Sequence, residues 1–144
     1  MENRYINVIV DTDIGEDIDD TWALIYILLT RFINVKAIMV STGDVTYKAS
    51  LVAKILTLLK KTSIPIILGA ETKGEVYAQK RWLNGFSCEN YQGTILKDYK
   101  KALQKITKEK NLTLIELAPF STISSKSYVL PMKMNFLKRN TAIF

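Results

Sequence analysis

Four short runs rich in β-branched residues, YINVIV (5–10), VKAIMVS (35–41), IPIIL (64–68) and LTLIEL (112–117), are set apart by segments far too long to be hairpin turns. Strands joined through such spacers need crossover connections, which makes neighbouring strands parallel. The spacers themselves read as helices. DDTWALIYILLTR (19–31) has helix length and is apolar almost all round, so burial on several sides is expected. TGD at 42–44 opens a second helix, with Ala49, Val52, Ala53, Leu56 and Leu59 at helical spacing. ILKDYKKALQKITKE (95–109) is amphipathic and is predicted to be a third. Residues 71–94 hold no sustained period and contain Gly74, Gly85 and Gly93, the pattern of a long loop. The expected architecture is α/β, a four-stranded parallel sheet with helices on both faces. No internal repeat, low-complexity tract or linker divides it.

Ligands of such sheets sit at the carboxyl ends of the strands. Here the first strand runs into DTDIGEDIDD (11–20), which holds six of the fourteen carboxylates of the chain. Asp11 and Asp13 are two apart at a strand end and can point the same way. Asp17 and Asp20 are three apart at a helix start and share a face. Gly15 permits the turn that brings the two pairs together. Two like charges about 4 Å apart cost roughly 4 kcal/mol at an effective dielectric of about 20. A helix N-terminus offsets no more than about 1 kcal/mol per charge. One or two of these acids can serve as helix caps, Asp17 or Asp19 among them, but five aspartates exceed that need. A bound hard cation accounts for the remainder: Ca²⁺ tolerates an irregular carboxylate shell, and Mg²⁺ is the second choice.

Composition narrows the function classes. Hydrophobic residues make up 48% and charged residues 24%, the balance of a soluble globular domain. No stretch approaches the roughly 20 apolar residues of a membrane span, so no membrane partner is expected. The opening MENRYINVIVD leaves no room for a signal peptide, and the single Cys88 cannot form an internal disulfide. Both observations point to the cytoplasm. The net charge of +6 is carried by lysines that the sequence spreads over helix surfaces, with no basic stripe interleaved with aromatics, so nucleic acid is not an expected partner.

VIVDTDIGEDIDDTWAL (8–24) resembles the N-terminal signature of the inosine–uridine-preferring nucleoside hydrolases, in the variant with two extra residues before the paired aspartates. STGDVTYKASLVAKIL (41–56) resembles the second strand-to-helix turn of that family, and LTLIELAPFSTIS (112–124) its strand followed by a Gly-Pro-Leu-Thr-Asn-like turn. The resemblance implies a Rossmann-like core and Ca²⁺-dependent hydrolysis of the N-glycosidic bond of a ribonucleoside to ribose and free base. It implies Asp13 and Asp20 as metal ligands, joined by the backbone carbonyl of Leu117. Asp13 would also accept the proton of the attacking water, Asp19 would bond a ribose hydroxyl, and Asp11 would orient Asp13. The two-residue insertion leaves Asp17 as an alternative to Asp19, and Asp44 would lie near the ribose.

The chain also departs from that pattern. Asp44 stands where the family usually has Asn, Ala118 where it has Gly, and Thr122 where it has Asn. RWLNGFSCENY (81–91) offers Trp82 and Tyr91 for stacking on a base, or for packing a loop, but no histidine. After Glu116 there is no further carboxylate, whereas the family supplies a late Asp ligand. Residues 1–124 therefore read as the N-terminal part of such a domain, an incomplete sheet, and 125–144 as an atypical basic tail. An uncovered edge and apolar helix faces favour association into a homo-oligomer. Two alternatives remain: a non-catalytic cation-binding remnant, and a Mg²⁺-dependent phosphatase of the haloacid-dehalogenase type, which shares Asp-x-Asp after its first strand.

Overall fold

The computed structural model describes residues 5–109 and 111–119. The boundary expected at 124 and the basic tail 125–144 lie outside them.

The chain runs β1 (Ile6–Thr12), α1 (Ile18–Leu29), β2 (Ile33–Val40), α2 (Val45–Leu58), β3 (Ile66–Leu68), α3 (Lys80–Leu83), a 3₁₀ turn (Cys88–Asn90), β4 (Ile95–Leu96), α4 (Tyr99–Ile106) and β5 (Leu112–Glu116). All pairings are parallel, in the order β4-β3-β2-β1-β5. The expected sheet is present, with one strand more than predicted. Ile95 and Leu96 pair with β3, and the helix assigned to 95–109 begins only at Tyr99, where the Asp98 carboxylate accepts the Lys101 amide at 3.1 Å. An N-cap aspartate there competes successfully with extending the helix backwards.

Two cores enclose the sheet. On one face Val8, Val10, Ile38, Val40 and Ile66 meet Leu24, Ile27 and Leu28 of α1 and the apolar side of α2. On the other, Ile9, Ala37, Met39 and Ile67 meet Ala102 and Leu103 of α4. Helices thus cover both faces, as expected. α1 differs from its sequence reading: only one side of it is buried, and Ile18, Trp22, Tyr26 and Leu29 stand exposed. Among the described residues, nothing packs on that side.

β1 is the axis of the design. It lies between β2 and β5, with Val8, Ile9, Val10, Asp11 and Thr12 all buried. The chain then turns sharply into α1 through Gly15, whose φ is +120°. A Cβ there would lie 2.7 Å from Cε1 of Tyr47 and 3.1 Å from Cδ1 of Leu51, while the Tyr47 hydroxyl donates to the Gly15 carbonyl at 3.0 Å. Backbone conformation and close approach both demand glycine. Gly15→Ala is expected to destabilise the fold by about 1–3 kcal/mol, read as a lower urea midpoint with an unchanged denaturant slope.

Candidate active site

The sheet order places a topological switch point beside β1. Successive strands step outward from β1 to β4, and β5 returns to the opposite side of β1. The crevice outside the carboxyl ends of β1 and β5 is where doubly wound sheets receive ligands. Asp11 and Glu116 are register partners there. Asp11 is fully buried, and its Oδ1 accepts the Ser41 hydroxyl at 2.6 Å. Its Oδ2 and both carboxylate oxygens of Glu116 are buried with no donor from the rest of the protein, and the two carboxyls lie within hydrogen-bond reach of each other. Two ionised carboxylates only accept, so the pair cannot satisfy itself unless a proton or a cation enters between them.

Burial, opposed by the Ser41 bond, raises the Asp11 carboxyl to about 7, and the neighbouring Asp13 charge adds to the rise. Burial, followed by the Asp11 charge, raises Glu116 to about 9. Both acids therefore bind protons more tightly folded than unfolded.

Asp13 directly follows the last residue of β1 and is half-buried. Its backbone is gripped from behind by Lys48, a lysine with 0% exposure, whose Nζ donates to the carbonyls of Asp13 at 2.8 Å and Ile14 at 3.3 Å. The same ammonium pairs with Glu75 at 3.4 Å. Glu75 also accepts the Asp44 amide at 2.7 Å, at the start of α2.

The remaining acids fall into two groups. Asp20 is buried on the inner side of α1, and its amide donates to the exposed Asp19 carboxylate at 3.0 Å. Asp17 is the exposed N-cap residue of α1, but its side chain makes no cap bond. Asp44 caps α2: one carboxylate oxygen accepts the Tyr47 amide at 2.9 Å and the other the Tyr77 hydroxyl at 3.0 Å. Leu117 follows β5 directly, its amide donating to the Asp11 carbonyl at 2.8 Å. Among the described residues, no three acidic, cysteine or histidine side chains converge closely enough to form a ready-made metal cage. The donor chemistry still suits a hard cation, because orphaned carboxylate oxygens are buried where the acids cluster.

Tyr91 is built into the core, with its hydroxyl donating to the Ile64 carbonyl at 2.8 Å. Trp82 is partly exposed under the Lys54 ammonium. The lysines are less dispersed than the sequence suggests. At the amino ends of the strands, Lys36, Lys60, Lys61, Lys97, Lys101 and Lys105 surround a cleft of about 1140 Å³ with only Asp98 and Glu109 as acids. Crossovers bring together residues that are far apart in sequence.

Glu116, Lys48 and Glu75 were not among the residues singled out from sequence. A glutamate inside an apolar strand run, and a lysine four residues before Val52 on the apolar side of α2, are the signals that could have found the first two. Nothing in the sequence links Glu75 to Lys48.

Residues 8–126 match the family model described as inosine-uridine preferring nucleoside hydrolase. The chain belongs to that family, which sets aside the phosphatase alternative. Among solved structures it is similar to a plant nucleoside hydrolase, the PpNRh1 enzyme, with a TM-score of 0.63 and 20% identity over 81% of this chain. That overlap spans 41% of the plant protein, so the chain covers less than half the length of that relative. No curated protein matches. No helix among the described residues is long and apolar enough to cross a membrane.

Two outcomes follow from the geometry. Lys48→Met strands the Glu75 carboxylate and two carbonyls, and is expected to cost about 3–5 kcal/mol; chemical denaturation should show the Lys48→Met/Glu75→Gln double variant recovering part of that loss. In chelator, the raised carboxyls make the folded state bind more protons than the unfolded chain, so stability is greatest near the ordinary carboxylate range. It should fall as pH rises from that range to about 9, most steeply below about 7 where both groups contribute, and thermal midpoints across that range should fall less steeply in Glu116→Gln.

Proposed function

We propose that this chain forms the metal- and ribose-binding part of a nucleoside N-ribohydrolase, which splits a ribonucleoside into ribose and free base. The observation that carries the reading is the collection of Asp11, Asp13 and Glu116 at the switch point between β1 and β5, with Asp19 and Asp20 following at the start of α1.

In this reading Asp13, Asp20 and the Leu117 carbonyl hold Ca²⁺, with Mg²⁺ as a poorer substitute. When bound, the cation supplies positive charge that neutralises the cluster and acidifies a water near neutral pH. Asp13 takes the proton of the attacking water, and its half-exposed position lets it meet solvent and substrate alike. Lys48 fixes the backbone of Asp13, so the carboxylate is positioned without a side-chain bond of its own being spent. Asp11, held by Ser41, orients the outer acids from the strand. Asp19 is exposed at the mouth and is suited to a ribose hydroxyl, with Asp17 as the alternative. Asp44 would join them only by exchanging the Tyr77 hydroxyl for a sugar hydroxyl.

The exposed apolar side of α1 supports a homo-oligomeric or otherwise covered state. The single unpaired Cys88 agrees with a cytoplasmic setting.

The test is base release from a panel of inosine, uridine and adenosine, together with a Ca²⁺ melt. Ca²⁺ is expected to raise the thermal midpoint, and Asp13→Ala with Asp20→Ala to abolish both that rise and any hydrolysis. A Ca²⁺ rise without base release would leave the non-catalytic cation-binding reading. No Ca²⁺ effect in the unaltered protein would remove the metal assignment.

A further inference from the structure

We infer that Glu116 is a cation-holding side chain: with Asp11 across the β1–β5 pair it forms a two-carboxylate seat for a hard divalent cation such as Ca²⁺, behind Asp13 at the switch point. This rests on reading the acidic cluster as a cation centre; it adds Glu116, to which that reading gave no role, and moves Asp11 from orienting the outer acids to holding the cation.

Three observations converge on it. Asp11 and Glu116 are direct register partners on adjacent parallel strands, and Asp11 is completely buried. Three of their four carboxylate oxygens are buried with no donor from the rest of the protein, so the two carboxyls can bond only each other, whereas buried polar atoms in folded proteins almost always have a partner. The buried Lys48 ammonium does not serve them: it is spent on the carbonyls of Asp13 and Ile14 and on Glu75. What would satisfy these oxygens other than a shared proton is a ligand that offers no acceptor and carries positive charge. Oxygen-seeking divalent cations meet that requirement, and their shells commonly draw on several carboxylates at once. The Ser41 hydroxyl occupies the fourth oxygen, Oδ1 of Asp11. Two side chains do not complete a shell, and the seat is continuous with Asp13, which acts electrostatically on both members of the pair. A single proton bridging Asp11 and Glu116 would satisfy the same atoms, and the two occupants differ in what a substitution does to cation affinity.

The experiment is calorimetric titration of the full chain with Ca²⁺ at fixed pH, for the unaltered protein, Glu116→Gln, Glu116→Asp and Asp13→Asn, each with a melt in chelator to establish folding. Glu116→Gln is expected to weaken Ca²⁺ binding by about tenfold or more, to keep or raise the chelator melting point, and to shrink the Ca²⁺-induced rise. Glu116→Asp should retain most of the affinity. Should Glu116→Gln fail to fold, Glu116→Met gives the same comparison without a polar group. Unchanged affinity in Glu116→Gln or Glu116→Met, with binding lost in Asp13→Asn, would overturn the inference and leave the cation centre at Asp13 standing. Absence of Ca²⁺ binding in the unaltered protein would overturn both.

Discussion

Desolvation of the carboxyl end of β1 is the constraint on which the rest of the site depends. β1 is hydrogen-bonded on both edges and covered on both faces, so its last residues leave water before any ligand arrives. A carboxylate in that position is costly unless paired, and unpaired charge in low dielectric is the largest penalty a small domain can carry. The chain meets part of it with neutral donors and one buried ammonium. Ser41 serves Asp11, and Lys48 serves the backbone under Asp13. The unmet part is concentrated on Asp11 and Glu116, where raised proton affinities and orphaned oxygens report the same electrostatic deficit.

The division of labour between the two faces follows from this. α1 and α2 both start at the acidic end, and their first turns are knitted together by side chains from the loop after β3. α4, on the opposite face, packs through Ala102 and Leu103 and has no part in the cluster. One face of the sheet therefore carries the chemistry-bearing turns and the other supplies apolar cover.

Much of this was legible in the sequence because it depends on local pattern. The four β-branched runs became strands within a few residues of their predicted ends, and TGD did open α2 with Asp44 as its cap. The fifth strand was hidden because Ile95 and Leu96 fit the amphipathic period of the helix that follows, and two residues of strand are held by pairing with β3 rather than by their own propensity. α1 read as buried on several sides because it is apolar almost all round, yet periodicity reports what a helix could bury, not what is there to bury it. Glu116 stood out only as a charge in an apolar run, and its meaning appears once β5 is set in register against Asp11. The family fits the same division: the motif after β1 is local and specific, whereas the lysines gathered at the opposite end are a product of tertiary structure.

The segment from Thr72 to Gln79 has almost no regular structure, but it touches both helix starts. Thr72 accepts the Gly43 amide, Glu75 accepts the Asp44 amide and pairs with Lys48, and Tyr77 donates to Asp44. Gln79 donates its amide to Tyr47 and its side chain to the Asp17 carbonyl, and accepts the Thr21 hydroxyl. These bonds share partners, so breaking one would loosen the next, and the strap would open as a single cooperative unit. Amide exchange at Gly43, Asp44 and Gln79 would then proceed with one common opening energy, below that of the sheet. The turn carrying Asp13 would feel each opening through the shared ammonium of Lys48, and the site would be looser than its buried strand by that increment.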